Sequence, residues 1–214
     1  MWFPTRRQFL AWGGAAASTG LLHSVAYGQA PELRPMRIGV TVPSQTGNLA
    51  MRASINDYVG EGGRKGAIYA ESQIGELASG RGWYLKVLHA STPSPDAARR
   101  AGERMVETGD ICALVGGIGE GQAEVLSEIA EKARIPFFNV GSSRDALRHA
   151  GCSRYTFHIE ASEAMYLDVL VKWYASRGLV RWSVVYESSE HGRALHTRAL
   201  RAISRHGLGG EAVG

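Results

Sequence analysis

The sequence contains no uninterrupted apolar run of the roughly 18–20 residues that a helix needs to span a bilayer, which excludes an internal membrane helix. It also lacks a strong excess of one charge. The formal net charge is +4, from 24 basic and 20 acidic residues. Arg6 and Arg7 supply half of that excess, because residues 1–28 contain no acid. A nucleic-acid-binding chain concentrates many more cations on one face, so no nucleic-acid partner is expected. Cysteine is limited to Cys112 and Cys152. The hydrolase and metal signatures are missing as well. There is no G-x-S-x-G elbow, no H-E-x-x-H pair and no Gly-Lys-Ser/Thr phosphate loop. His191 and His196 are five residues apart, a poor spacing for one helical face. Ser142 with His149 or His158 stays open on spacing alone, but a serine after glycine is more often a turn residue. No catalytic constellation and no metal site stand out.

Glycine, by contrast, is abundant: 27 of 214 residues, against a usual ~7%. The glycines carry no collagen period, and they fit a fold with many tight strand–helix connections. At 44% hydrophobic and 21% charged residues, the chain is globular in composition rather than disordered.

Residues 1–28 carry Arg6-Arg7 followed by Phe9-Leu10, a mildly apolar middle and a small-residue end. That order describes a secretory signal peptide, and the paired arginines resemble the twin-arginine type. Cleavage is expected near Ala26 or Gly28. The mature protein would then work in the periplasm, an oxidising compartment. There Cys112 and Cys152 either bridge or remain two thiols.

Beyond the signal, short apolar runs alternate with helical periodicity. Strands are expected at 36–42, 83–89, 111–115, 137–140, 155–159 and 182–186, with a further one beginning at 211–214. The strand at 155–159 is read as crossing to a new region. Helices are expected around 66–74, with Ala67, Ala70 and Ile74 on one face, and from within Thr92-Pro93-Ser94-Pro95-Asp96 to about residue 108. Another follows the turn Gly116-Gly117-Ile118-Gly119-Glu120-Gly121, with Val125, Ile129 and Ala133 sharing a face. Ser162 caps a helix carrying Leu167, Leu170, Val171 and Tyr174. Leu195, Ala199, Ala202 and Ile203 mark the last. Alternation of this kind implies an α/β fold, with parallel strands joined by right-handed crossovers.

Ligands in such sheets bind beyond the carboxyl ends of the strands. Four loops qualify: 43–47 with Gln45 and Thr46, the glycine turn at 116–122, Gly141-Ser142-Ser143, and 187–192 with Glu187 and His191. Backbone N–H groups and hydroxyls dominate the first three, which suits a small polar or anionic group. The glycine turn follows a strand and opens a helix, but it reads G-x-G-x-G from Gly117 to Gly121, not G-x-G-x-x-G. The strand at 137–140 also ends without the acid a dinucleotide ribose needs. No cofactor is expected.

The chain resembles the type I periplasmic binding proteins, the leucine/isoleucine/valine-binding class of ABC-transporter solute receptors. The resemblance runs from about Met36 to the last residue. It rests on Arg37-Ile38-Gly39-Val40 with Pro43 and Gly47, on Gly66, Ala67, Ala70 and Glu71, and on Leu114-Val115-Gly116-Gly117. Further matches are the stretch from Ala133 to Ser143, Tyr155-Thr156-Phe157-His158-Ile159, and Val184-Val185-Tyr186 through Gly192. It implies a Rossmann-like parallel-sheet lobe at 36–157 and the beginning of a second α/β lobe at 158–214. It also implies a non-enzymatic receptor, with a small-molecule solute and an ABC transporter membrane permease as partners. Ligand contacts would fall on Gln45, Thr46, Gly119, Glu120, Gly121, Gly141, Ser142 and Ser143, and across the cleft on Glu187 and His191. Amino-acid-binding members usually carry a serine where Glu120 stands and a tyrosine where His191 stands. The resemblance therefore implies a small polar organic solute, branched-chain amino acid-like or related. A chain stopping inside the second lobe is expected to bind it poorly or not at all. Two other functions stand beside this one: an exported cofactor-dependent oxidoreductase and a ligand-sensing domain of a regulatory system.

Overall fold

Apolar strands that alternate with amphipathic helices can bury both faces only by forming a central parallel sheet. The computed structural model, which describes residues 32–43 and 55–209, has that arrangement. In chain order the strands are β1 (Arg34–Val42), β2 (Trp83–Ser91), β3 (Ala113–Gly116), β4 (Phe137–Asn139) and β5 (Thr156–His158). The helices are α1 (Ile55–Ser79), α2 (Pro95–Thr108), α3 (Gln122–Ala133), α4 (Glu163–Ser176) and α5 (Glu190–His206), with a 3-10 turn at Asp145–Arg148. These elements belong to one compact unit that begins at Arg34. The export signal expected at 1–28, the loop carrying Gln45 and Thr46, and the strand expected at 211–214 lie outside the described residues.

The strand order is β2-β1-β3-β4-β5, and every pairing is parallel. The chain winds outward from β1 to β2, then returns past β1 to build β3, β4 and β5. The reversal of winding lies between β1 and β3. β5 is the last strand of this sheet, paired Phe137↔Thr156 through Asn139↔His158, before the chain enters α4.

Side chains alternate across the sheet, and two cores result. On one face Leu114 and Phe137 pack with Ala98 and Met105 of α2 and with Leu126, Ile129 and Ala130 of α3. Leu114, Leu126 and Phe137 are fully buried, and each such side chain stabilises the fold by roughly 1.5–3 kcal/mol. On the other face Val40, Val42 and Ile118 pack with Val115, Val140 and Ala67 of α1. Ile74 is not part of that core as its spacing predicts. It is 50% exposed, while Glu71 of the same helix pairs with Lys86 of β2 at 3.2 Å. A third cluster joins α4 to α5 through Val171, Ala202 and Ile203. No helix among the described residues is long and apolar enough to cross a membrane.

A further expectation is corrected. Residues 182–186 do not form a strand; Trp182 makes only an isolated bridge. Strand backbone needs a neighbour to bond with, and among the described residues no strand runs beside this segment. Its alternation survives as packing: Trp182 and Val184 lie against the α4–α5 cluster, while Val185 is 94% exposed. Cys112 and Cys152 are both free and exposed. Cys112 leads into β3 and Cys152 into β5, with β4 between them.

Candidate functional site

Beyond the carboxyl ends of β3 and β4, four connections converge on a cavity of about 340 Å³. The β3–α3 turn contributes Gly119, Glu120 and Gly121, and the segment after β4 contributes Gly141, Ser142, Ser143 and Arg144. The opposite wall is made by Glu163, the first residue of α4, and by Glu187 and His191 at the start of α5. All eight candidate residues within the described part of the chain therefore line one space. Arg144 and Glu163 also line it, although the sequence reading passed over them.

The β3–α3 turn needs glycine because its backbone is left-handed. Gly121, the N-cap of α3, sits at φ 70°, a conformation that costs other residues roughly 1–2 kcal/mol. The turn is pinned by the next residue, Gln122, which is 2% exposed. The Gln122 amide nitrogen donates to the Thr92 carbonyl at 2.7 Å, and its amide oxygen accepts from the Thr92 hydroxyl at 3.0 Å. This reciprocal pair ties the turn to the end of β2. A buried glutamine at the start of a helix gives no sign of it in sequence.

Asn139, the last residue of β4, is fully buried and organises the second connection. Its Oδ1 accepts from the backbone N–H groups of Gly141 at 3.2 Å and Ser142 at 2.9 Å. Its Nδ2 donates to the Ser142 carbonyl at 2.7 Å and lies 3.0 Å from His158 Nδ1. The sequence reading offered these loop amides to a ligand. The structure instead commits the Gly141 and Ser142 amides to Asn139, because a buried amide side chain must find partners of its own. What this loop presents to the cavity is thus chiefly side-chain chemistry: the serine hydroxyls and Arg144.

The opposite wall is tied to this loop. The backbone N–H of Glu163 donates to the Ser143 carbonyl at 2.8 Å. The Glu163 carboxylate lies 3.3 Å from His191 Nε2, and Glu187 accepts from the Ser189 hydroxyl at 2.5 Å. Ser162 and Ser189 cap α4 and α5 as side-chain acceptors, whereas α3 has no side-chain cap. Three helix N-termini therefore begin at the rim, each carrying partial positive charge.

The Ser142 hydroxyl accepts from the Arg144 backbone N–H at 3.5 Å, and Asn139 engages His158 at Nδ1. Burial, reinforced by the nearby Arg148 charge, holds the His158 pKa below its ordinary value. Among the described residues no group of three His, Cys, Asp or Glu side chains could hold a metal ion.

Solved structures of similar fold are numerous. A periplasmic binding protein from Burkholderia mallei superposes with a TM-score of 0.68 at 20% identity, over 84% of this chain and 45% of its own. A solute-binding protein of an ABC transporter from R. palustris, in complex with benzoate, gives 0.65 at 18% identity, over 84% and 47%. An ABC transporter substrate-binding protein from Desulfitobacterium hafniense, in complex with Leu, gives 0.65 at 17% identity, over 81% and 48%. The chain thus spans less than half the length of these structures. A comparison with the curated proteins finds no match. The model of one family, described as periplasmic binding protein, matches residues 39–214. By that match, which takes in the whole described sheet from Gly39 onward and all ten residues of the cavity wall, the chain belongs to the periplasmic binding protein family.

Proposed function

We propose that this chain is the solute-binding component of an ABC transporter and works outside the cytoplasm. It would hold a small polar organic solute in the cavity between the sheet loops and the starts of α4 and α5. The observation that carries this reading is the convergence of Gly119, Glu120, Gly121, Gly141, Ser142, Ser143, Glu187 and His191 on one space of about 340 Å³. That volume lies within the usual range for a small-molecule site. Structurally similar proteins have been solved with Leu and with benzoate, which supports a carboxylate-bearing solute of that size. Residues 36–157 would form the first lobe and residues 158–214 the beginning of the second, with the sheet's carboxyl edge and α4–α5 as the two sides of the cleft. Residues 1–28 would direct export by the twin-arginine route, and a membrane permease would receive the solute.

Thermal denaturation against a panel of amino acids and aromatic acids tests the assignment. A solute that raises the Tm of the wild-type chain should lose that effect in E187Q and H191A. A panel member that stabilises both variants as well as wild type would be binding elsewhere.

A further inference from the structure

Among the described residues of the cavity wall, Arg144 is the one cation that is always charged. Its partners are poorly matched to it. The guanidinium lies 3.4 Å from Glu120 Oε1 and 3.5 Å from Glu124 Oε1, whereas a charge-assisted N–H···O bond settles at about 2.7–2.9 Å. Of five N–H donors, two make these long contacts. Glu120 is 89% exposed, so it is free to turn into solvent, while the Arg144 side chain is 32% exposed. The remaining acids of the wall have nearer partners of their own: Glu163 has His191, and Glu187 has the Ser189 hydroxyl. The Gly141 and Ser142 amides are closed to a ligand by Asn139.

We propose that Arg144 is the anchor for a solute's carboxylate, and that Glu120 is its exchangeable stand-in. This inference rests on the solute-binding reading of the cavity. A carboxylate entering the space would take the guanidinium in a planar two-point contact, which the long contact with Glu120 does not achieve. Glu120 would turn outward, and the neighbouring Ser142 and Ser143 hydroxyls would complete the cradle. An acid on the wall of an anion site would ordinarily repel the ligand. Here it holds the guanidinium in place until a better partner arrives. Glu124 stays behind and keeps Arg144 oriented.

The test is a titration of the folded chain followed by amide NMR, using benzoate and isovalerate against benzamide and isovaleramide. Wild-type protein should bind the acids at least tenfold more tightly than the amides, with shifts at the cavity residues. R144Q should abolish that discrimination, and R144K should keep part of it, since an ammonium supplies charge without the planar fork. E120Q, on an exposed side chain, should fold normally and bind the acids several-fold more tightly while leaving the amides unchanged. The proposal is overturned if R144Q retains the preference for acids, or if E120Q weakens it. Cavity shifts with the amides but not the acids would also overturn it while leaving the solute-binding reading intact. Absence of cavity shifts with all four probes would count against both.

Discussion

Asn139 Nδ2 and His158 Nδ1 face each other across the β4–β5 register at 3.0 Å. The other contacts of Asn139 fix which way its amide points. Two backbone N–H groups converge on Oδ1, so the NH2 faces the Ser142 carbonyl and His158. The histidine therefore accepts at Nδ1 and is neutral there. The loop carrying Gly141 and Ser142 is held by an asparagine that is itself held by an unprotonated imidazole.

Acid should loosen this arrangement. The His158 pKa is held low by burial, then by Arg148, and His89 is held low by burial, then by Arg64. Below the ordinary value of 6.5 the unfolded chain takes up protons that the folded chain does not. Stability from these groups is thus complete above about pH 6.5 and lost as the pH falls below it towards the folded-state pKa values. Urea midpoints measured from pH 8 to pH 5 should be flat at first and then decline. H158Q should remove part of that decline, with the His89 share remaining. A profile unchanged by H158Q would contradict the assigned contact.

Gly141 is required by proximity. A Cβ there would stand 2.6 Å from the Ile118 Cα and 2.8 Å from its nitrogen. These are backbone atoms and cannot turn aside. G141A should therefore cost about 1–3 kcal/mol in urea unfolding and displace the β4 loop relative to the glycine turn. Wild-type stability in G141A would mean that the two loops do not approach so closely.

The alternation of elements was legible because each helix and strand carries its own period. Val125 and Ile129 mark α3, and Ser162 announces the start of α4 through its cap. The cavity loops were legible because a parallel sheet exposes its carboxyl ends, whatever the side chains. Arg144 was not, since an arginine after two serines reads as surface until the fold turns it inward. The role of Asn139 was hidden for a related reason: its partners on β5 and in the loop are set by register, which no local pattern encodes. The segment 182–186 misled because alternation reports sidedness, and a strand also requires a neighbour.

Asp145 and Arg198 connect the 3-10 turn after β4 to α5 at 2.8 Å, with side chains 13% and 25% exposed. A pair this sheltered should couple more strongly than the 0.2–1 kcal/mol typical of exposed pairs. A double-mutant cycle with D145N and R198M should return about 1–2 kcal/mol. A value indistinguishable from zero would mean that this contact does not hold α5 to the sheet side of the cavity.

The two cysteines should behave independently. Thiol titration of the native, air-exposed monomer should find two reactive groups, as both are exposed and unbridged. A mass two hydrogens lighter, restored by reductant, would show an intramolecular bridge instead.

The central claim is that the cavity beyond β3 and β4 receives the solute. Amide chemical-shift mapping of the whole chain during titration with a Tm-raising solute tests it most directly, because it reports location even when affinity is low. The largest shifts should fall on Gly119, Glu120, Gly121, Ser143, Arg144, Glu163 and His191. Shifts confined to other surfaces, with these seven residues unmoved, would contradict it.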